Sequence, residues 1–173
     1  MRIKKIKRIY KGEEVSLRLV EAKFNEREIK KEIIIFPNTV AILALIDKNK
    51  IVLVRQYRFP AKKELWEIPA GKLKKREIPK IGAKRELKEE TGFVAGKLKK
   101  IAEFYLSPGY STEYMYLFKA NSLKKEKQTL DKDEIINKVK VFSLKEAFKM
   151  IKGKKIIDAK TILALFFLLN RLK

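Results

Sequence analysis

Three glutamates lie within five residues of one another in the stretch RELKEETGF, which runs from Arg85 to Phe93. On a helix, which turns by about 100° per residue, Glu86, Glu89 and Glu90 fall on one face with their carboxylates close together. Like charges so placed repel one another, which raises a pKa or loosens the helix. A divalent cation bound by the carboxylate oxygens relieves that repulsion, so the cluster predicts a metal site. Taken alone, the cluster also fits an exposed network of charged side chains on a solvated helix.

The composition restricts which metal and which catalytic groups are available. The chain contains no cysteine and no histidine. Disulfides, thiolate sites, zinc chemistry and a histidine base are therefore excluded, and any metal must be a hard cation with oxygen ligands. Acid and base catalysis is confined to carboxylates, lysine and tyrosine.

The chain is strongly basic, with 43 Lys+Arg against 21 Asp+Glu and a formal net charge of +22. Because the lysines are spread through almost every segment, they indicate a solvated cationic surface more than a dedicated site for a polyanion. Enrichment in lysine, isoleucine and glutamate without cysteine is typical of heat-adapted proteins. A positive field also attracts phosphorylated substrates.

The 173 residues predict one globular domain of mixed strands and helices, in the α+β class. The segments EVSLRLVEAKF and KEIIIF predict an N-terminal hairpin, and TVAILALID with IVLVRQYRF predicts a second hairpin. A central helix is predicted over EIPKIGAKRELKEETG, with Pro79 in its first turn, Gly92 at its end and a buried face formed by Ile81, Ala83 and Leu87.

Near the end of the chain, AKTILALFFLLN predicts a buried helix. Its uncharged part, Thr161 to Leu169, is far shorter than the roughly 18 residues that span a bilayer. The basic N-terminal segment is followed by no apolar region of the kind found in signal peptides. We therefore expect a cytoplasmic protein that does not interact with membranes.

The glutamate cluster is part of a longer pattern that begins at Gly71. Five residues separate Gly71 from Glu77, and seven more precede Arg85-Glu86-Leu87-Lys88-Glu89-Glu90-Thr91-Gly92-Phe93. This pattern resembles the signature of the Nudix hydrolases, G-x5-E-x7-R-E-U-x-E-E-x-G-U with U apolar, at all nine specified positions. The resemblance implies a Nudix-type α/β/α sandwich with a mixed sheet. It also favours a metal site over a solvated charge network.

Other segments resemble the ADP-ribose pyrophosphatase branch of that family, over roughly residues 8 to 170. They are VRQYR, ELWEIPAGKL, SPGYSTE and GKKIIDAKTILAL. In that branch a proline lies about 16 residues beyond the last glycine of the signature, and Pro108 lies 16 residues beyond Gly92. Pro108 and Gly109 also fit an ordinary turn between strands.

The resemblance implies a set of metal ligands and catalytic groups. Glu86, Glu90 and the carbonyl of Ala70 are implied ligands of Mg²⁺, with Mn²⁺ as a substitute, and Glu89 binds or bridges a further metal. Arg85 orients the neighbouring carboxylates. The attacking water is assisted by a glutamate of a C-terminal loop, for which Glu134 is our choice over Asp131 and Asp133.

For the organic part of the substrate, the residue types and the resemblance indicate further contacts. Arg55 and Arg58 suit phosphate, Glu67 and Glu113 suit ribose hydroxyls, and Tyr10 suits an adenine ring, although a packed aromatic is the commoner role of such a tyrosine. Pro108 and Gly109 complete this predicted substrate set.

The resemblance also implies a homodimer in which the N-terminal strand region, 1–38, pairs with its copy while 39–173 forms the hydrolase domain. The expected substrate is a nucleoside diphosphate derivative, ADP-ribose first. A nucleotide sugar, NADH or a dinucleoside polyphosphate are alternatives. A basic domain that binds nucleic acid is a further alternative, which the acidic cluster disfavours because it repels a phosphate backbone.

Overall fold

The structure is a computed structural model and describes residues 1–128 and 135–169. The chain divides into two compact units. One unit comprises Met1–Thr39 and Glu103–Met115, and the other comprises Val40–Ala102 and Tyr116–Lys173. Strands and helices are mixed along the chain, which confirms the predicted α+β class.

The described residues form ten strands and three helices, numbered in chain order. The strands are β1 (Arg2–Lys11), β2 (Ser16–Phe24), β3 (Arg27–Ile35), β4 (Thr39–Ala44), β5 (Lys50–Arg58), β6 (Lys63–Glu67), β7 (Ala70–Lys72), β8 (Phe93–Tyr105), β9 (Tyr114–Lys125) and β10 (Ile136–Ser143). The helices are α1 (Pro79–Thr91), α2 (Leu144–Lys152) and α3 (Ala159–Leu169), with a short 3-10 turn at Phe59–Ala61.

The predicted N-terminal hairpin is confirmed. Strands β2 and β3 pair antiparallel from Ser16 opposite Ile35 to Phe24 opposite Arg27, and Asn25 adopts a positive φ of 52° in the turn. Asparagine tolerates that conformation better than most residues. Strand β1, which the sequence did not predict, pairs with β2 to complete a three-stranded sheet in the order β1-β2-β3.

The predicted second hairpin is wrong. A tight turn does join β4 to β5, closed by a bridge between Leu45 and Ile51, but the two strands enter different sheets. Strand β4 lies in the order β7-β4-β9-β8, whereas β5 lies in the order β10-β5-β6. Both strands are buried, so their continuous apolar sequences have no alternation that would specify a pairing partner.

Helix α1 begins and ends where the sequence predicts. Pro79 occupies its first turn, and Gly92 ends it in the left-handed conformation at φ 67°, with its N–H bonded to the Lys88 carbonyl. Glycine suits both this conformation and the space, since a Cβ there would lie 2.8 Å from the Glu126 carbonyl oxygen. One detail of the prediction is wrong: Ile81 is 55% exposed, and the buried face carries Ala83 and Leu87 together with Glu86 and Glu90.

The buried face of α1 packs against the four-stranded sheet. Ala83 and Leu87 share a cluster with residues of β4, β5, β8 and β9, namely Val40, Ile42, Ala44, Val52, Ala95, Phe118 and Ala120. This packing fixes the helix that carries the glutamates. The helix predicted near the end of the chain is present as α3, but only one side of it is buried, since Phe166 is 49% exposed. No helix within the described ranges is long and apolar enough to cross a membrane.

Candidate active site

The glutamates of α1 face the short strand β7. The carboxylate of Glu86 lies so close to Gly71 that a Cβ at that position would stand 2.2 Å from Glu86 Cδ and 2.3 and 2.4 Å from its two oxygens. No side chain fits between them, so glycine permits a carboxylate to approach the backbone of β7. Glu86 is only 4% exposed.

A second carboxylate reaches the same strand. Glu90 is 1% exposed, and its Oε2 accepts a hydrogen bond of 3.2 Å from the backbone N–H of Ala70. Two of the predicted metal ligands therefore meet at Ala70–Gly71, next to the predicted carbonyl ligand. Residues that are 15 to 20 positions apart in the sequence are brought together by the packing of α1.

Arg85 links the remaining acidic side chains. Its Nε and Nη2 donate to the two oxygens of Glu77 at 2.9 and 2.8 Å, and its Nη1 donates to Glu86 at 2.7 Å and to Glu89 at 2.8 Å. Nη2 also donates to the carbonyl of Lys72 at 3.0 Å. The predicted role of Arg85 in holding neighbouring carboxylates agrees with this geometry.

These contacts change the protonation equilibria of the pair. The hydrogen bond from Arg85 lowers the pKa of Glu77 below its ordinary value. The same bond, supported by Glu86 and Glu89, raises the pKa of Arg85. Both groups therefore stay charged at neutral pH, and the ion pair fixes the loop that precedes α1 against the helix.

The donor set suits a hard divalent cation, because it consists of carboxylate oxygens and a backbone carbonyl. Within residues 1–128 and 135–169, no three acidic side chains are arranged to hold a metal ion by themselves. Arg85 engages Glu86 and Glu89, and Ala70 engages Glu90. The oxygens near Ala70 thus fit the chemistry of Mg²⁺, and in this structure they are held by protein donors.

Comparison with known proteins agrees with this site. A family model described as the NUDIX domain matches residues 36–165, which is more than half of the chain. The chain belongs to the Nudix family.

Two relatives cover nearly the whole chain. It is 41% identical over 163 residues to an ADP-ribose pyrophosphatase of Bacillus subtilis (strain 168), an alignment that covers 92% of this chain and 88% of the relative. It is 40% identical over 167 residues to a methanol dehydrogenase activator of Bacillus methanolicus, with coverage of 95% and 90%. These matches confirm the resemblance to Nudix hydrolases of the ADP-ribose pyrophosphatase branch.

A solved structure and a more distant relative complete the comparison. The fold matches a crystal structure of an ADP compounds hydrolase with a TM-score of 0.87 at 22% identity, covering 98% of this chain and 92% of that one. A GDP-mannose pyrophosphatase of Enterobacter sp. (strain 638) is 33% identical over 131 residues, covering 70% of this chain and 68% of the relative. The Nudix fold predicted from the sequence is confirmed.

Two of the predicted substrate contacts of this Nudix hydrolase are paired with each other. Arg58 donates through Nε to Glu67 Oε1 at 2.9 Å and through Nη2 to Oε2 at 2.6 Å, while Lys160 also donates to Oε2. Burial raises the pKa of Glu67, but the two cations outweigh burial and lower it overall. Lys160 lies in the segment GKKIIDAKTILAL, but no role for it was predicted from the sequence.

Arg55, the other predicted phosphate ligand, is more accessible. Its side chain is 45% exposed, pairs with Glu64 at 2.7 Å and lies over the ring of Trp66 at 5.9 Å. Trp66 is half-buried and packs edge-on against Phe142.

The remaining predicted substrate residues belong to the unit that contains the N-terminal sheet. Pro108 and Gly109 are exposed in the turn between β8 and β9. Glu113 is half-buried and accepts a hydrogen bond of 3.1 Å from Thr39 Oγ1. Tyr10 is exposed on β1. Their substrate roles stay predictions.

The predicted base, Glu134, lies outside the described residues, as do Asp131 and Asp133. The described residues on either side are anchored: Gln128 Nε2 donates to the Glu90 carbonyl at 2.5 Å, and the Ile135 carbonyl accepts from Tyr57 N at 3.4 Å. One anchor is therefore the C-terminal end of the helix that carries the predicted metal ligands.

Proposed function

We propose that this Nudix hydrolase cleaves ADP-ribose to AMP and ribose 5-phosphate in an Mg²⁺-dependent reaction. The reaction type is supported by one observation above all, the approach of the Glu86 and Glu90 carboxylates to the Ala70–Gly71 backbone. The substrate is supported by the 41% identity to an ADP-ribose pyrophosphatase over 92% of this chain.

The proposal assigns each residue of the site a separate role in hydrolysis. Glu86, Glu90 and the Ala70 carbonyl would hold the cation, Glu89 would contribute to a further one, and Arg85 sets the carboxylate positions. When bound, Mg²⁺ offsets the negative charge of the pyrophosphate and polarises the phosphorus under attack. Glu134 takes the proton of the attacking water, whose oxygen forms a new bond to phosphorus as the bridging P–O bond breaks.

The proposal assigns seven residues to the substrate. Arg55 and Arg58 bind phosphate, and Glu67, Glu113, Pro108, Gly109 and Tyr10 contact the two ribose groups and the adenine. Arg58 and Glu67 are already paired, so their contribution to binding also depends on that ion pair.

A direct test is to incubate the purified protein with ADP-ribose and Mg²⁺ and to measure AMP by anion-exchange chromatography. GDP-mannose, NADH and a dinucleoside polyphosphate are assayed in parallel, because one relative is a GDP-mannose pyrophosphatase. We expect kcat/KM to be highest for ADP-ribose, and a higher value for another substrate would replace it in this proposal.

The test variant is Glu90→Gln, at the proposed metal site. Its matched control is Glu26→Gln, in the turn between β2 and β3. Glu26 forms an exposed ion pair with Lys23 and plays no part in the site. Turnover that survives Glu90→Gln, or that falls equally in both variants, would contradict the proposed reaction.

We also propose that the enzyme is a homodimer formed through the N-terminal strands. All residues of the edge strand β1 are exposed, and Ile3 and Ile6 lie opposite Ala22 and Val20 of β2, which places these apolar side chains on one face of the sheet. An edge strand that carries exposed apolar side chains favours association. Light scattering after size exclusion should give twice the 20.3 kDa chain mass, and a monomer at micromolar concentration would refute the dimer.

A further inference from the structure

The segment that carries the proposed carbonyl ligand lies between two sheets. Strand β6 ends at Glu67 in one sheet, and β7 begins at Ala70 in another. Ile68 and Pro69 between them are buried and lie outside both strands. Their backbone polar groups therefore need partners from other elements.

Three different elements provide those partners. Ile68 N–H donates to Thr161 Oγ1 of α3 at 2.8 Å, the Pro69 carbonyl accepts from Ile42 N of β4 at 2.8 Å, and Ala70 N–H donates to Glu90 of α1 at 3.2 Å. The first of these bonds is made by the side chain of Thr161, which is not one of the proposed metal ligands. The position of Ala70 thus depends in part on α3.

The hydroxyl of Thr161 is itself fixed in orientation. It donates to Asp158 Oδ2 at 2.5 Å, and the same carboxylate oxygen accepts from Thr161 N at 3.0 Å. Thr161 is fully buried, and its hydroxyl donates to Asp158 while it accepts from the Ile68 N–H. This arrangement connects the N-terminal end of α3 to Ile68.

Lys160 makes a parallel connection one residue earlier. Its Nζ donates to Asp158 Oδ1 at 2.9 Å and to Glu67 Oε2, and the residue is 9% exposed. Buried lysines are rare unless they are paired. Two adjacent residues of α3 therefore hold two adjacent residues, Glu67 and Ile68, just before the proposed ligand.

We propose that Lys160 and Thr161 are positioning residues that set the place of the Ala70 carbonyl and so tune the affinity for the divalent cation. This inference rests on the proposed metal site. A simple helix cap would need only the bond from Thr161 N to Asp158. The additional contacts to Glu67 and Ile68 connect α3 to the segment that carries the proposed carbonyl ligand.

The test is the affinity for Mn²⁺ without substrate, measured from the electron paramagnetic resonance signal of free Mn²⁺. Thr161→Val removes the hydroxyl at nearly constant shape, and we expect it to weaken Mn²⁺ binding by about 10- to 100-fold, as loss of outer contacts to a metal site commonly does. Thr161→Ser retains the hydroxyl and should restore binding. Lys160→Met, which leaves Glu67 paired with Arg58, should also weaken binding and provides a second variant if Thr161→Val fails to fold.

The matched control is Ser143→Ala, because Ser143 caps α2 through bonds with Glu146 and pairs with Lys50 of β5. It should lower the melting temperature without changing Mn²⁺ affinity. If Thr161→Val and Lys160→Met both bind Mn²⁺ like the wild type, or if Ser143→Ala weakens binding as much as they do, the inference is overturned.

Mn²⁺ binding and ADP-ribose turnover of the wild type distinguish a failure of this inference from a failure of the proposed function. Mn²⁺ binding that requires Glu90 but comes without ADP-ribose turnover would refute the substrate and leave the positioning role intact. A wild type that binds no Mn²⁺ would overturn the inference, since there would be no cation to position.

Discussion

A single methyl group at position 71 should separate the function of this protein from its stability. Gly71 is needed for space and not for backbone conformation, since Gly92 is the glycine with positive φ among the described residues. In Gly71→Ala the new Cβ would lie 2.2 Å from Glu86 Cδ, whereas ordinary contact begins at 3.4 Å. The carboxylate must therefore move by at least about 1.2 Å, the difference between those distances.

The expected effects on activity and stability differ in size. A displacement of about 1 Å within a catalytic site can reduce turnover about 10²-fold, which corresponds to about 2.7 kcal/mol of activation free energy. The fold loses little, because the atoms that move are at the end of a flexible side chain. A forced rotamer costs roughly 0.5–1.5 kcal/mol. Replacing glycine by alanine stabilises the protein by about 0.4–1 kcal/mol, because alanine lowers the conformational entropy of the unfolded chain.

The assay compares kcat, Mn²⁺ affinity and the free energy of unfolding in urea. Gly153→Ala is the control, since its Cβ would lie 3.3 Å from the Lys149 carbonyl at the end of α2. In a Glu86→Ala background the clash is gone, so Gly71→Ala should add almost nothing. Turnover within about threefold of the wild type, or a full further loss in the Glu86→Ala background, would refute the reasoning.

Three further predictions concern carboxylates. Glu90→Gln should lower kcat by orders of magnitude while a circular dichroism melt stays close to that of the wild type, and near-normal turnover at saturating Mg²⁺ would contradict the metal assignment. Glu134→Gln should lower kcat by about 10²–10⁴ with little change in KM, measured by steady-state kinetics, and a larger loss in Asp131→Asn or Asp133→Asn would move the base to that residue. Folding lowers the pKa of Glu67 below its ordinary value of 4.5, so the stability that Glu67 contributes is present above that pH and is lost as the pH falls through the lowered value. As the pH drops below 4.5, the free energy of unfolding in urea should therefore fall less in Glu67→Gln than in the wild type, and parallel profiles would count against this.

The parts of the fold that local sequence specifies were predictable. Pro79 and Gly92 mark the ends of α1, and the two apolar segments separated by polar residues mark β2 and β3. The pairing partner of a buried strand could not be predicted in this way. The apolar sequences of β4 and β5 favour a strand but do not say which sheet each one enters, and that choice depends on the whole core.

Strand β1 and Ile81 show a second limit. In β1 isoleucine recurs every third residue among lysines and arginines, and the strand contains register shifts next to Ile3 and Arg8. Irregular pairing of this kind breaks the alternation by which a strand is recognised. Ile81 is apolar but lies on the exposed side of α1, because the buried side is occupied by the glutamates of the site.

The site was predictable where it follows the Nudix signature and not where it depends on tertiary contacts. Spacing placed Glu86 and Glu90 on one helix face, and the signature added Gly71. Nothing in the sequence connects Lys160 or Thr161 to that helix, since they lie about 70 residues further along the chain. Their contacts with Glu67 and Ile68 arise only when α3 packs against the end of β6.

The repulsion among the glutamates of α1 is already partly offset by the protein. Arg85 donates to Glu77, Glu86 and Glu89, so α1 does not need a metal in order to bring these carboxylates together. With Glu90 there are four carboxylates and one guanidinium, which leaves three negative charges among these five side chains. A divalent cation that binds here must compete with Arg85 for the oxygens of Glu86 and Glu89. Folding therefore relies on the arginine, and the proposed cation would bind where these side chains keep a net negative charge.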